Sequence, residues 1–259
     1  MTLPGIDIAS LAALVVAATF AGFIDAVVGG GGLIQIPALF SVLPHEPAAT
    51  VFGTNKLSSV FGTGNAAWRY ARRVDMPWRT TLPAAVAAFA CSYLGAMAVS
   101  WLPPEVLRPL IVLLLISAAV YTHVRRDFGT IHQPQHSGRR EFAYALLLGG
   151  AIGFYDGFFG PGTGSFLIFL FVRWFGFDFL HASAAAKVVN VATNLAALGF
   201  FVPHGHILPL LGALMACCNV LGSFLGAHLA LRHGSGFVRK FFLAVVSMLI
   251  ARFAYDTFV

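Results

Sequence analysis

Gly22-Phe-Ile-Asp25-Ala-Val-Val-Gly29-Gly30-Gly31-Gly32-Leu-Ile-Gln-Ile-Pro37 sets four successive glycines between two apolar runs. Glycine inside a helix costs backbone entropy at every position, so a continuous helix is not expected to pass through this string. A second string, Gly153-Phe-Tyr-Asp156-Gly-Phe-Phe-Gly160-Pro161-Gly162-Thr163-Gly164-Ser165, lies 131 positions further on, and there Pro161 also removes a backbone donor. The same offset carries Lys56 onto Lys187, Ser92 and Gly95 onto Ser223 and Gly226, and Arg108 onto Arg239. Chance matches in apolar sequence do not align Asp, Lys and Arg, so the chain reads as a duplication.

Both strings sit in sequence that belongs in a bilayer. Mean hydropathy is +0.82, with 58% hydrophobic and 10% charged residues, far from a soluble domain. Apolar runs at about 8–28, 80–101, 105–123, 142–160, 207–231 and 237–258 approach the roughly 20 residues needed to cross a bilayer. Two long runs with polar residues (48–68, 179–202) and two short ones after the glycines (33–43, 164–175) complete the pattern. The expected fold is an all-α polytopic membrane protein of two repeats. Each has five helices, ten in all, or eight if the short segments are re-entrant. The expected divisions are 1–124, a linker at 125–141, and 142–259.

Net charge is +6, but the arginines gather in loops. That is an orientation signal rather than a nucleic-acid footprint. The loop 69–79 holds Arg69, Arg72, Arg73 and Arg79, while its offset counterpart 201–206 holds no Lys or Arg. Conversely, 101–106 has none and 232–240 has Arg232, Arg239 and Lys240. Basic loops on the cytoplasmic side make the two repeats inverted in topology and place both termini outside. Many secondary transporters share this organisation, with a site near the midplane where the repeats meet. No GxxxxGK[ST] string occurs, which argues against an ATP motor in this chain. Cys91, Cys217 and Cys218 read as small packing residues, and the Gly222–Gly226 step as a close helix contact.

Freed backbone at membrane depth must be buried in protein or face an aqueous cavity. A helix starting just after each glycine cluster would aim unpaired N–H groups at it, a ready anion site. The two polar runs contribute Lys56, Ser59 and Thr63 in the first and Lys187, Asn190 and Asn194 in the second. Spacings of i, i+3 and i+7 put each trio on one face, and Asn55, Ser58 and Thr193 widen the stripes. Lysine in mid-helix costs a few kcal/mol on insertion scales. Lys56 and Lys187, two of only three lysines, are therefore the leading anion ligands. The competing reading is a structural ion pair with Asp25 or Asp156, and those aspartates are equally candidates to carry a coupling proton. Histidines such as His132, His136, His204 and His206 are ordinary in loops, and no metal or cofactor is expected.

These residues resemble the TauE/SafE sulfite exporter family. The resemblance is carried by Gly22-Phe-Ile-Asp25 with Gly29 to Gly32, by Gly53-Thr-Asn55-Lys56, and by the second-half strings, ending in Ala186-Lys187-Val-Val-Asn190-Val-Ala-Thr193-Asn194. It implies a carrier of the bacterial inner membrane that exports sulfite or an organosulfonate such as sulfoacetate, although members are also linked to uptake. The expected binding set is Lys56, Lys187, Asn55, Asn190, Asn194 and Thr163, with backbone at Gly30, Gly31, Gly32, Gly162 and Gly164. Its partners are a small anion, the bilayer, and H⁺ or Na⁺ as coupling ion. A passive anion channel and an intramembrane lipid-phosphate phosphatase are the rivals. The phosphatase lacks a Glu/His cluster near a serine, since Glu46, Glu105 and Glu141 lie outside the apolar cores, and no enzyme is expected.

Overall fold

The computed structural model describes residues 6–99 and 132–258, all helical or connecting. The apolar run 105–123, Arg108 and the first part of the expected linker, 125–131, lie outside those residues. In chain order the helices are α1 (Ile8–Val28), α2 (Gly32–Val42), α3 (Ala48–Ala71), α4 (Trp78–Ala98), α5 (Gly138–Phe158), α6 (Thr163–Phe175), α7 (Phe179–Phe201) and α8 (Pro209–Phe258). The backbone of α8 leaves helical geometry at Gly234 (φ 70°, ψ −168°), dividing it into two helical segments. Four described helices, α1, α4, α7 and α8 through Val245, are long and apolar enough to cross a bilayer. α5 begins at Gly138, inside the stretch read as linker from sequence.

Offset by 131 positions, the starts of α2, α3 and α4 fall on those of α6, α7 and α8. Local chemistry sets several of these boundaries. Asp7 accepts from Ser10 N at 2.7 Å and starts α1. Asp178 accepts from His181 N at 2.8 Å and starts α7. Each satisfies a donor that the first turn would otherwise leave open. At 11 and 13 residues, α2 and α6 span only about 16–20 Å at 1.5 Å per residue. Each folds back along the helix before it.

Small residues determine which helices touch. Gly149, Gly153 and Gly157 form one stripe of α5, and a Cβ on any of them would run into the backbone of Ala84, Ala88 or Ser92 on α4. Gly22 on α1 sits against Asn219, and Gly222 and Gly226 on α8 sit against Thr19 and Phe23. Close backbone approach of this kind is how helices associate where lipid is as apolar as the side chains. Thus α5 packs on α4, α1 on α8, α7 on α4 and α3 on α8, while α3 and α7 face each other in the middle. The largest core cluster is rich in phenylalanine, with Phe171, Phe175, Phe179 and Phe242 fully buried.

Candidate functional site

The two glycine strings meet. Gly29 ends α1 with φ 76° and ψ 174°, and its Cα side lies against the backbone of Gly164 and Ser165 in the first turn of α6. At the offset position, Gly160 has φ 90°. Both values are in the left-handed region, which side-chain-bearing residues rarely occupy. Ser165 Oγ donates to Val28 O at 3.1 Å, and Ser183 Oγ on α7 donates to Val27 O at 3.0 Å. Tyr70 on α3 donates to Ala26 O at 3.0 Å. The carbonyls at the end of α1, which no further helical turn can use, are thereby satisfied by side chains. Neither α2 nor α6 has a side-chain cap at its N-terminus.

Polar faces of α3 and α7 close on this junction. Lys56 Nζ lies 2.6 Å from Asp156 Oδ2, with both side chains almost fully buried. Lys187 Nζ lies 3.7 Å from Asp25 Oδ2, and Thr63 Oγ1 donates to that same oxygen at 3.0 Å. Each lysine therefore faces the aspartate from the opposite half of the chain. Lys187 is fully buried and its ammonium makes no hydrogen bond among the described residues. Asn55 Oδ1 is a second buried polar atom with no hydrogen-bond partner among the described residues. A buried cation without a hydrogen bond is costly unless a ligand supplies one.

A cavity of about 30 Å³ lies between these groups, room for about two water molecules. Of the residues expected from sequence, Lys56, Asn55, Asn190, Asn194, Thr163, Gly30, Gly32, Gly164, Asp25 and Asp156 line it. Lys187, also expected there, does not line it and faces Asp25, which does. Gly31 and Gly162 do not reach it: Gly31 caps α2 against Ala21 and the Asp25 side chain, and Gly162 turns toward Phe166 and Leu33. Ser59, Thr63 and Gly160 complete the wall. Gly160 was legible as the offset partner of Gly29. Less legible was Gln35, which is fully buried on α2 and accepts from Asn219 Nδ2 of α8 at 3.0 Å. Its signal was a lone amide in an otherwise apolar run.

The arrangement can hold an anion. The Lys56 ammonium, amide side chains and the uncapped starts of α2 and α6 converge on the cavity, the Lys187 ammonium stands behind Asp25, and a carboxylate faces each lysine. Ionised, these four side chains sum to zero charge. Elsewhere, His132, Asp178 and His181 bring ligand atoms within 4.8 Å of one another, a grouping hidden in sequence because His132 is far along the chain from the other two. His181 Nδ1 and Asp178 Oδ2 are 2.9 Å apart and the two imidazoles stack at 4.0 Å. Burial alone would raise the Asp178 carboxyl, but hydrogen bonds from His181 outweigh it and hold it below its ordinary value. His132 is held below the ordinary imidazole value by burial and by the neighbouring His181.

Comparison with known proteins agrees with the membrane reading. Residues 14–253 match the family described as Sulfite exporter TauE/SafE. A probable membrane transporter protein, ORF9, from Sinorhizobium sp. is 40% identical over 241 residues, covering 93% of this chain and 90% of that protein. A probable membrane transporter protein from Haemophilus influenzae is 33% identical over 97% of this chain and 96% of its own length. The probable membrane transporter protein YfcA of Escherichia coli K12 is 33% identical over 95% of this chain and 90% of its own. No solved structure matches. Matched over nearly its whole length, this chain belongs to the TauE/SafE family of membrane transporters.

Proposed function

We propose that the chain is a secondary carrier for a small sulfur oxyanion, sulfite or an organosulfonate such as sulfoacetate, exported across the bacterial inner membrane by alternating access. The observation that carries this reading is Lys187, a fully buried ammonium with no hydrogen bond among the described residues, 3.7 Å from the Asp25 carboxylate. Lys56 and Lys187 neutralise the substrate. Asn55, Asn190, Asn194 and Thr163 bond its oxygens, together with the backbone at Gly30, Gly32 and Gly164. The family membership supports transport, and the chemistry of the donors supports an anion.

Two inverted repeats, 1–124 and 142–259, would rock about this site. The matching helix starts and the exchanged pairing, α1 on α8 and α5 on α4, support that reading. The end of α3 at Arg69 and the part of α8 at Arg232 are taken as cytoplasmic and both termini as periplasmic. Loading takes place as the junction at Gly29 and Gly164, where the two glycine strings touch, parts. Each lysine then exchanges its aspartate for substrate. An anion entering a neutral pocket leaves its charge uncompensated, and co-transported H⁺ or Na⁺, one per negative charge, restores balance. Asp25, bonded to Thr63 and loosely paired, is the carboxylate that takes it.

Purified protein in proteoliposomes loaded with sulfite tests the reading, with sulfate, thiosulfate, sulfoacetate and taurine compared by thermal shift, since a ligand of the folded state raises its stability. Sulfite flux that follows an imposed H⁺ or Na⁺ gradient supports coupled transport, and flux indifferent to either gradient supports a passive channel. Absence of flux and of any ligand-induced shift would sink the assignment.

A further inference from the structure

A second cavity, of about 590 Å³, lies away from the paired lysines, where the end of α3 meets α8 and the start of α7. Arg69, Arg72 and Arg73 line it from the last turn of α3 and the residues after it, and His228 and Arg232 line it from α8, beside Trp68. None of these four arginines forms an ion pair with a carboxylate among the described residues. The Arg69 Nε is buried without a hydrogen-bond partner among the described residues. Two of the side chains are held by aromatic rings: the Arg69 guanidinium lies 3.9 Å from the Phe224 ring centre, and that of Arg72 lies 4.2 Å from the Trp68 ring. Stacking uses the face of a guanidinium and leaves its in-plane N–H donors for an acceptor with several oxygens.

The surface leading to this cluster is apolar and exposed. Phe61 lies two turns before Arg69 on α3, and Leu221, Phe224 and Leu225 lie within the two turns before His228 on α8, all about half exposed or more. A charge cluster at the end of a strip of large apolar side chains has the profile of a headgroup and its hydrocarbon. We propose that this cavity binds an anionic phospholipid, with its phosphate among Arg69, Arg72 and Arg232 and its acyl chains along Phe61, Leu221 and Leu225. Basic pockets between membrane helices on the cytoplasmic side are suited to such headgroups. A free phosphate would use the arginines and leave the strip uncovered. The lipid would hold the end of α3 against α8 two residues before the backbone break at Gly234. The inference does not depend on which anion the carrier moves.

The test uses the full chain in detergent. Apparent Tm is measured with phosphatidylglycerol, phosphatidylcholine, inorganic phosphate and glycerol 3-phosphate, for the wild type and for the combined variant Arg69→Gln, Arg72→Gln, Arg232→Gln. At saturating phosphatidylglycerol the wild type gains about 5–10 °C. The gain shrinks as salt is raised, and the variant loses most of it. Native mass spectrometry of the wild type supplies an independent readout should the variant fail to fold: phosphatidylglycerol is retained at least tenfold better than phosphatidylcholine. Equal stabilisation by phosphatidylcholine, an equal shift from either soluble phosphate, or an undiminished gain in the variant would overturn the assignment.

Discussion

Asp25 shares one carboxylate oxygen between Thr63 Oγ1 at 3.0 Å and the Lys187 ammonium at 3.7 Å. The hydroxyl takes the short bond and the cation stands off. At the offset position the contact is tighter, with Lys56 at 2.6 Å from Asp156. Two pairs that correspond in sequence are thus unequal in length, 2.6 Å against 3.7 Å.

Lys187→Met is expected to abolish sulfite flux with a smaller loss of stability than Lys56→Met, because Asp25 keeps its bond from Thr63. Flux assays and thermal unfolding on the same preparations check this. Retained flux in Lys187→Met would remove that residue from the site.

Breaking a buried pair by deleting one member leaves a buried charge and costs about 3–5 kcal/mol. Lys56→Met should fall in that range, and Lys56→Met with Asp156→Asn should recover most of it while remaining inactive in transport. A double variant that recovers both stability and flux would show that this pair is only structural.

At the junction of the glycine strings, Gly164→Ala places a methyl group against Gly29. It should block closure and reduce transport at least tenfold. Gly199→Ala is the control, because a Cβ there meets nothing within 4 Å. In the last turn of α7 it is neutral or stabilising, by up to about 1 kcal/mol. Equal effects of the two substitutions would argue against a contact-driven role for the junction.

Asp178→Ala removes the N-cap of α7 and should cost about 0.5–2 kcal/mol at neutral pH. The Asp178 carboxyl is held below its ordinary value in the folded chain, so its contribution is fully present above the ordinary carboxylate range and is lost as pH falls through the lowered value. The stability gap between wild type and variant should therefore narrow with acidification, as read by unfolding at a series of pH values. A gap that widens in acid would contradict the assignment.

Much of the molecule was legible in residue order alone. Apolar run lengths and the cost of putting a lysine in a membrane are local or additive properties, and they pointed to the long apolar helices α1, α4, α7 and α8 and to polar stripes on α3 and α7. Tertiary structure decided who meets whom. Lys56 and Asp156 lie 100 positions apart, and no spacing rule says that each lysine crosses to the other half of the chain instead of pairing within its own. That choice follows from where the stripes Gly149–Gly153–Gly157 and Gly222–Gly226 let backbones approach, a property of two surfaces fitted together. The same holds for Arg69 and Arg232, which read as loop charges along the chain and converge only because α3 ends against α8.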